Sequence, residues 1–268
     1  MSTYTIRPIN TGFVTMVPKL YLYHHSVQKY YPEASGKEEE FPVFTYLLEG
    51  NGQRILIDTG MADTERAHKY HHPGSHQPEG MSIVEQLNAL GLSPQDIDIV
   101  IFTHLHWDHC YYMSEFTSAK FYVNRKEYEF AHDPIPLYYK SYEAPQLGIV
   151  RPFEGMEMEL VEGETEIVPG VRVFDTPGHS VGHITVEVDT ENGKYLVCGD
   201  AVFINDNLKP VKEMHYNITP PNRFANIIET WKSIELIKTR AESEDKILTC
   251  HDWSIAERAK KAPVFGIK

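Results

Sequence analysis

The chain is short of cysteine, of positive charge and of long apolar runs, and each shortage removes a class of protein. Its 268 residues include 3 Cys, an odd and small number that argues against a disulfide-stapled secreted fold. Lys and Arg number 25 against 38 Asp and Glu, a formal net charge of −13. A general nucleic-acid binder needs a basic face for phosphate, so nucleic acid is not an expected partner. No stretch approaches the roughly 18 apolar residues that cross a bilayer, so no membrane partner is expected either. Met1 to Arg7 lack the apolar core of a signal peptide, and cytoplasm is the expected location. What remains is an ordinary globular composition, 41% hydrophobic and 24% charged, and a single domain over residues 1–268 is expected. The one abnormal count is histidine, with 14 residues.

Hydrophobic patterning gives strands, a helix and a strand, and then the same order again. Val43 to Leu48 and Gln53 to Asp58 are apolar, β-rich runs around Glu49-Gly50-Asn51-Gly52, which predicts a hairpin. Tyr30 to Glu40 reads as a solvated loop, and Met61 to Gly80 as a long polar loop, with or without a short helix, holding His68, His71, His72 and His76. Ser82 to Leu90 has helical periodicity and stops at Gly91; Ile97 to Thr103 reads as a short buried strand. In the second half, Val171–Asp175, His183–Val188 and Lys194–Cys198 read as strands. Asn222 to Thr239 is an amphipathic helix, Lys246 to Thr249 a short strand, and Ser254 to Lys261 a terminal helix. Two sheets with helices outside would bury these faces, so the fold class is α/β, a sandwich of two similar halves.

The chemistry concentrates in Thr103-His104-Leu105-His106-Trp107-Asp108-His109, directly after a buried strand. In an extended segment, positions i and i+2 project to one side, so His104 and His106 can grip one cation. Asp108 and His109, past the turn, can face a second. Imidazole and carboxylate are the donors zinc prefers. These four cannot complete a two-metal site. His179 (in Thr176-Pro177-Gly178-His179), Asp200 (after Gly199) and His251 (between Cys250 and Asp252) also follow strands. A lone strand-end Asp or His is more often a cap; the set in this order favours metal. Cys110, Cys198 and Cys250 adjoin these positions and read as small buried fillers.

The HxHxDH run at 104–109 with His179, Asp200 and His251 resembles the ligand set of the metallo-β-lactamase-fold hydrolases. Asp58-Thr59-Gly60 and Thr176 to His179 resemble that superfamily's strand-end motif and its TPGH turn. The resemblance implies a four-layer αβ/βα sandwich, two mixed β-sheets with helices on the outer faces. It implies two divalent metal ions, Zn2+ first, with Mn, Fe or Co as alternatives. His104, His106 and His179 would hold one, Asp108, His109 and His251 the other, and Asp200 would bridge. Asp58 would orient a ligand imidazole, support the loop, or simply end the hairpin. His183 would stand behind the ligands or serve as a core histidine.

Within the superfamily the chain is most similar to the N-acyl homoserine lactonase group, through its length, His106-Trp107-Asp108-His109-Cys110 and Gly199-Asp200-Ala201. That implies a quorum-quenching hydrolase of a small-molecule lactone or related ester, in which a metal-bridging hydroxide attacks the carbonyl and Asp108 or Asp200 shuttles the proton. Many of these lactonases carry a Tyr three residues after the bridging Asp, to hold the substrate carbonyl; here that position is Phe203. Tyr21, Tyr23, His215 and Tyr216 are the candidates to replace the missing donor. The aromatic segment from Asp133 to Phe153 and the loop from Met61 to Gly80 would rim the pocket, or serve packing or a dimer contact; a homodimer is left open. A thioester hydrolase resembling glyoxalase II, or another small ester or amide hydrolase of the same fold, is the alternative activity. A nuclease conflicts with the charge, a flavodiiron-type redox protein with His106 and the chain length, and a non-catalytic member with the full ligand set.

Overall fold

The computed structural model describes residues 3–268. Six strands form the first sheet in sequence order: β1 (Thr5–Met16), β2 (Glu39–Gly50), β3 (Gln53–Ile57), β4 (Ile99–Ile101), β5 (Lys120–Asn124) and β6 (Glu159–Val161). The β1–β2 and β2–β3 pairs are antiparallel and the remaining three are parallel. The second sheet runs β11 (Ile247–Leu248), β10 (Gly193–Val197), β9 (Ile184–Thr190), β8 (Val171–Asp175) and β7 (Thr165–Val168). Only β10 and β11 pair in parallel there. Both sheets are thus mixed.

The strands alternate faces with period two. Tyr46, Leu48, Ile55, Ile57 and Ile101 point inward and meet Val173, Val186, Val188 and Val197 of the second sheet. Their chain neighbours Leu47, Leu56 and Val100 point outward, against Ile83 and Leu87 of helix α1 (Ile83–Ala89) and Ala131 of α2 (Arg125–His132). On the far side, Phe174 and Leu196 pack against Ile234 and Ile237 of α3 (Ile227–Arg240). Ile255 of α4 (Trp253–Lys261) enters the inter-sheet core. Helix, sheet, sheet, helix is the four-layer order the sequence implied. No helix among the described residues is long and apolar enough to cross a membrane.

Local chemistry sets the boundaries. Asn51 and Gly52 both have positive φ (52° and 73°), the geometry of a two-residue type I′ hairpin turn. Ser82 and Glu85 form a capping box at the start of α1. Three expectations need correction. The strand β2 begins at Glu39, so the end of the predicted loop is strand. The helix predicted from Asn222 begins at Ile227, because Asn226 Oδ1 accepts from the amides of Ile228 and Glu229 and caps it there. The strand predicted over 97–103 shrinks to Ile99–Ile101, since the Thr103 amide bonds the Asp58 carboxylate instead of a strand neighbour.

Candidate metal centre

The strands β3, β4, β8, β10 and β11 all deliver their C-terminal ends to one edge of the sandwich, and the polar set sits there. Asp58 follows β3 in a left-handed conformation (φ 61°). That turn aims its carboxylate back at β4's exit. Its Oδ1 accepts from the Thr103 amide at 2.7 Å, and its Oδ2 accepts from Thr103 Oγ1 at 2.7 Å and from His109 Nδ1 at 2.8 Å. Asp58 therefore fixes the His109 proton on Nδ1 and leaves the Nε2 lone pair facing inward. Thr103 Oγ1 spends its proton on Asp58, so it accepts from His104 Nδ1 at 3.1 Å. That frees His104 Nε2. His251 Nδ1 donates to the Pro42 carbonyl at 2.8 Å, which frees its Nε2 as well.

The freed atoms converge in two groups. His104 Nε2 and His179 Nε2 each lie 3.0 Å from His106 Nδ1. Three ring nitrogens so placed can share a proton or hold a cation, and tetrahedral ligands about 2.0 Å from a zinc ion sit about 3.3 Å apart. The second group is His109 Nε2 and His251 Nε2, respectively 3.4 and 3.3 Å from Asp200 Oδ1. Asp108 Oδ2 is 3.7 Å from His251 Nε2 and 4.0 Å from His109 Nε2. Asp200 Oδ2 reaches the first group, 3.4 Å from His179 Nε2. His109 Nε2 and Asp200 Oδ1 are buried without a hydrogen-bond partner, a costly condition that a cation relieves. The donor set thus fits two metal ions.

Charge follows the same division. Burial, with neighbouring imidazoles, holds His104 and His106 well below the ordinary imidazole pKa. Burial takes His179 down to about 4. A neutral imidazole is the metal-binding form. Burial also opposes charge on His109 and His251, but Cys250 and Asp200 beside them raise both well above the ordinary value. His251 and His109 in turn outweigh the burial of Asp200 and hold its carboxyl low.

His183 lies behind the centre: its Nε2 accepts from the Asp200 amide at 3.2 Å and its Nδ1 meets Thr176 Oγ1 at 3.0 Å. The three cysteines are buried and free, each bonded through sulfur to a backbone carbonyl. Phe203 and Tyr21 line the cavity that opens on the ligands. Tyr23, His215 and Tyr216, the other three donor candidates, are not among the residues that line it. Tyr23 is turned to Asp206 at 2.7 Å, His215 is exposed, and Tyr216 packs edge-on to Trp231. From the aromatic segment, Ser141, Lys140 and Leu137 line a second, outer cavity that shares Tyr21 and His72 with the first, whereas Tyr138 and Tyr142 are buried in the core.

Two supports escaped the sequence. Glu127 of α2 accepts from the Leu105 and Gly182 amides (3.1 and 3.0 Å), Ser180 Oγ (2.7 Å) and Tyr142 OH (2.9 Å). One carboxylate thereby ties the His104–His109 loop to the loop carrying His179. Glu143, buried at φ 48°, accepts from Arg66 through both oxygens (2.7 and 2.6 Å) and from His71 Nε2 (2.8 Å). The His71 ring stacks on Trp107, 4.2 Å between centroids, and so braces the residue between two candidate ligands. Nothing local in the sequence marks either glutamate.

Residues 39–241 match the family model of the metallo-β-lactamase superfamily, and the chain belongs to that superfamily. A curated N-acyl homoserine lactonase of Bacillus thuringiensis is 33% identical over 65% of this chain and 69% of its own length. The lactonase AttM of Rhizobium radiobacter is 29% identical over 87% of this chain and 90% of its own. Among solved structures, an N-acyl homoserine lactone hydrolase with the product N-hexanoyl-L-homoserine at its catalytic metal center superposes with a TM-score of 0.76. It is 25% identical over 96% of this chain and 97% of that one. These likenesses place the chain in the lactonase-like group of the superfamily.

Proposed function

We propose that the chain is a hydrolase with a dinuclear metal centre that opens a small lactone. The observation that carries this is Asp200, whose two carboxylate oxygens face two separate groups of freed donors. His104, His106 and His179 would hold one ion, and Asp108, His109 and His251 the other. Two divalent ions held there, Zn2+ first among them, would supply Lewis-acid polarisation of the ester carbonyl and a lowered pKa for water. Asp108 stands at the cavity wall beside the second group, placed to take the proton from the attacking water. It can return that proton to the ring oxygen as the ester C–O bond breaks, leaving a hydroxy acid. Asp58 and His183 hold His109 and the Asp200 backbone in place. Phe203 and Trp107 keep the wall apolar and exclude bulk water from the carbonyl. The lactone-hydrolysing relatives support this reading.

Metal analysis with a panel of lactones and glutathione thioesters tests it. About two ions per chain and turnover of lactones are expected; a folded, metal-loaded protein inert on every lactone overturns the lactone reading. Thioester turnover in its place would transfer the site to that class. His106→Ala should lower both metal content and rate, the rate by more than about 100-fold. Unchanged occupancy would remove His106 from the centre.

A further inference from the structure

We propose that Arg223 is the recognition point for an anionic group on the substrate, so that the chain prefers a lactone bearing a carboxylate away from the scissile ester. This rests on the lactone reading above and narrows it.

Arg223 lies in the irregular stretch before α3. It lines the cavity that holds Asp108, His179 and Asp200, and also a larger outer cavity of about 410 Å³ bounded by Tyr21, His72 and Ser141. Its guanidinium makes one hydrogen bond, to Ser141 Oγ at 3.2 Å. It pairs with no carboxylate among the described residues, as is also true of Arg7 and Arg258, whereas Arg54, Arg66, Arg125, Arg151, Arg172 and Arg240 all do. Lys140 on the outer cavity also lacks an acidic partner there, and Glu38 is the carboxylate on that rim. What sets Arg223 apart is its place on the wall of the cavity that holds Asp108, His179 and Asp200.

A guanidinium has five N–H donors in a planar fork that matches a carboxylate bidentately. Most of the fork is free. Phe203 on the same cavity offers no donor and Tyr21 and Ser141 offer neutral hydroxyls, so a charged group on the substrate falls to Arg223. A purely alkyl substituent laid over it would strip water from a charge and return no hydrogen bond. The same residue that attracts an acidic substituent therefore discriminates against a greasy one.

The test compares γ-butyrolactone-γ-carboxylate with the matching γ-carboxamide on the metal-loaded enzyme. The carboxylate should have the higher kcat/KM, and Arg223→Gln should reduce that preference about 10- to 100-fold, through KM. Arg223→Lys should retain part of it. No preference in the native chain, or one that Arg223→Gln leaves intact, overturns the proposal. A calorimetric titration separates this from the lactone reading. Glutarate should bind the metal-loaded protein more tightly than butyrate, and Arg223→Gln should abolish the difference. That result with no lactone turnover would keep the anion site and remove the lactonase; equal binding of the two acids would remove the anion site.

Discussion

Phe203 lines the cavity with its ring 5.1 Å from the His179 ring and 5.8 Å from the His251 ring, which puts position 203 beside the centre. Phe203→Tyr should raise turnover of N-acyl homoserine lactones by about tenfold or more, measured as kcat. No gain would mean that the carbonyl is held from another side. Glu143 yields a different kind of expectation. Burial pushes its carboxyl up, but hydrogen bonds from His71 and Arg66 more than offset this and leave its pKa lowered. A carboxyl depressed in the folded state stabilises above its unfolded pKa, and that stability is lost as pH falls through the folded value. Glu143→Gln should therefore lose about 3 kcal/mol at neutral pH, and the gap to the parent should narrow below about pH 4, read by denaturant unfolding at each pH. The candidate ligand run stood out in the sequence because HxHxDH states its spacing locally and follows an apolar strand. Glu143, Glu127 and Arg223 were not, because each acquires meaning from partners distant in the chain that only the fold assembles.

At the scale of elements, the turns that aim the ligands are the vulnerable parts. Gly178 has φ 135°, and a Cβ there would lie 2.2 Å from the Thr230 amide nitrogen in the first turn of α3. The clash is with backbone, so it cannot be relieved by a rotamer change. Gly178→Ala should lower stability by about 3 kcal/mol and displace His179, detected as loss of one metal ion per chain. Glu127→Ala would strand two buried amides and two hydroxyls, at about 1–3 kcal/mol for each donor left unpaired. Its melting temperature and its metal content should fall together; full occupancy in a destabilised variant would show that the two loops are held by other contacts. The hairpin of β2 and β3, the helix α1 and the strands β8 to β10 were readable, since each carries its own period and its own Asn-Gly turn or cap. The strands β1, β5, β6 and β7 and the helix α2 were not. The strand β1 is interrupted by a register shift after Asn10, and the others are short, mixed in polarity and, in α2, carry a buried glutamate that breaks the apolar face.

Over the whole molecule, the two sheets contribute unequal shares to one centre. The loop His104–His109 follows β4 of the first sheet, and His179, Asp200 and His251 follow β8, β10 and β11 of the second. Chelation should therefore destabilise far beyond the centre, because ions that bind only the folded state stabilise it in proportion to the logarithm of their excess over Kd. The melting temperature should drop when metal is withdrawn and recover when it is returned; an unchanged value would dissociate the ions from the fold. The four-layer order was legible from repeated strand and helix patterns, but the meeting of both halves at one edge depends on sheet order, which no local pattern encodes. The three cysteines remain free thiols, so no covalent bond joins the halves. Filled with metal, the centre would do that work instead. It would tie His109 to His251 only while the chain is folded, so its contribution is the binding free energy of the ions rather than a restriction of the unfolded chain. Unlike a disulfide, that staple is indifferent to a reducing environment and can be withdrawn by a chelator.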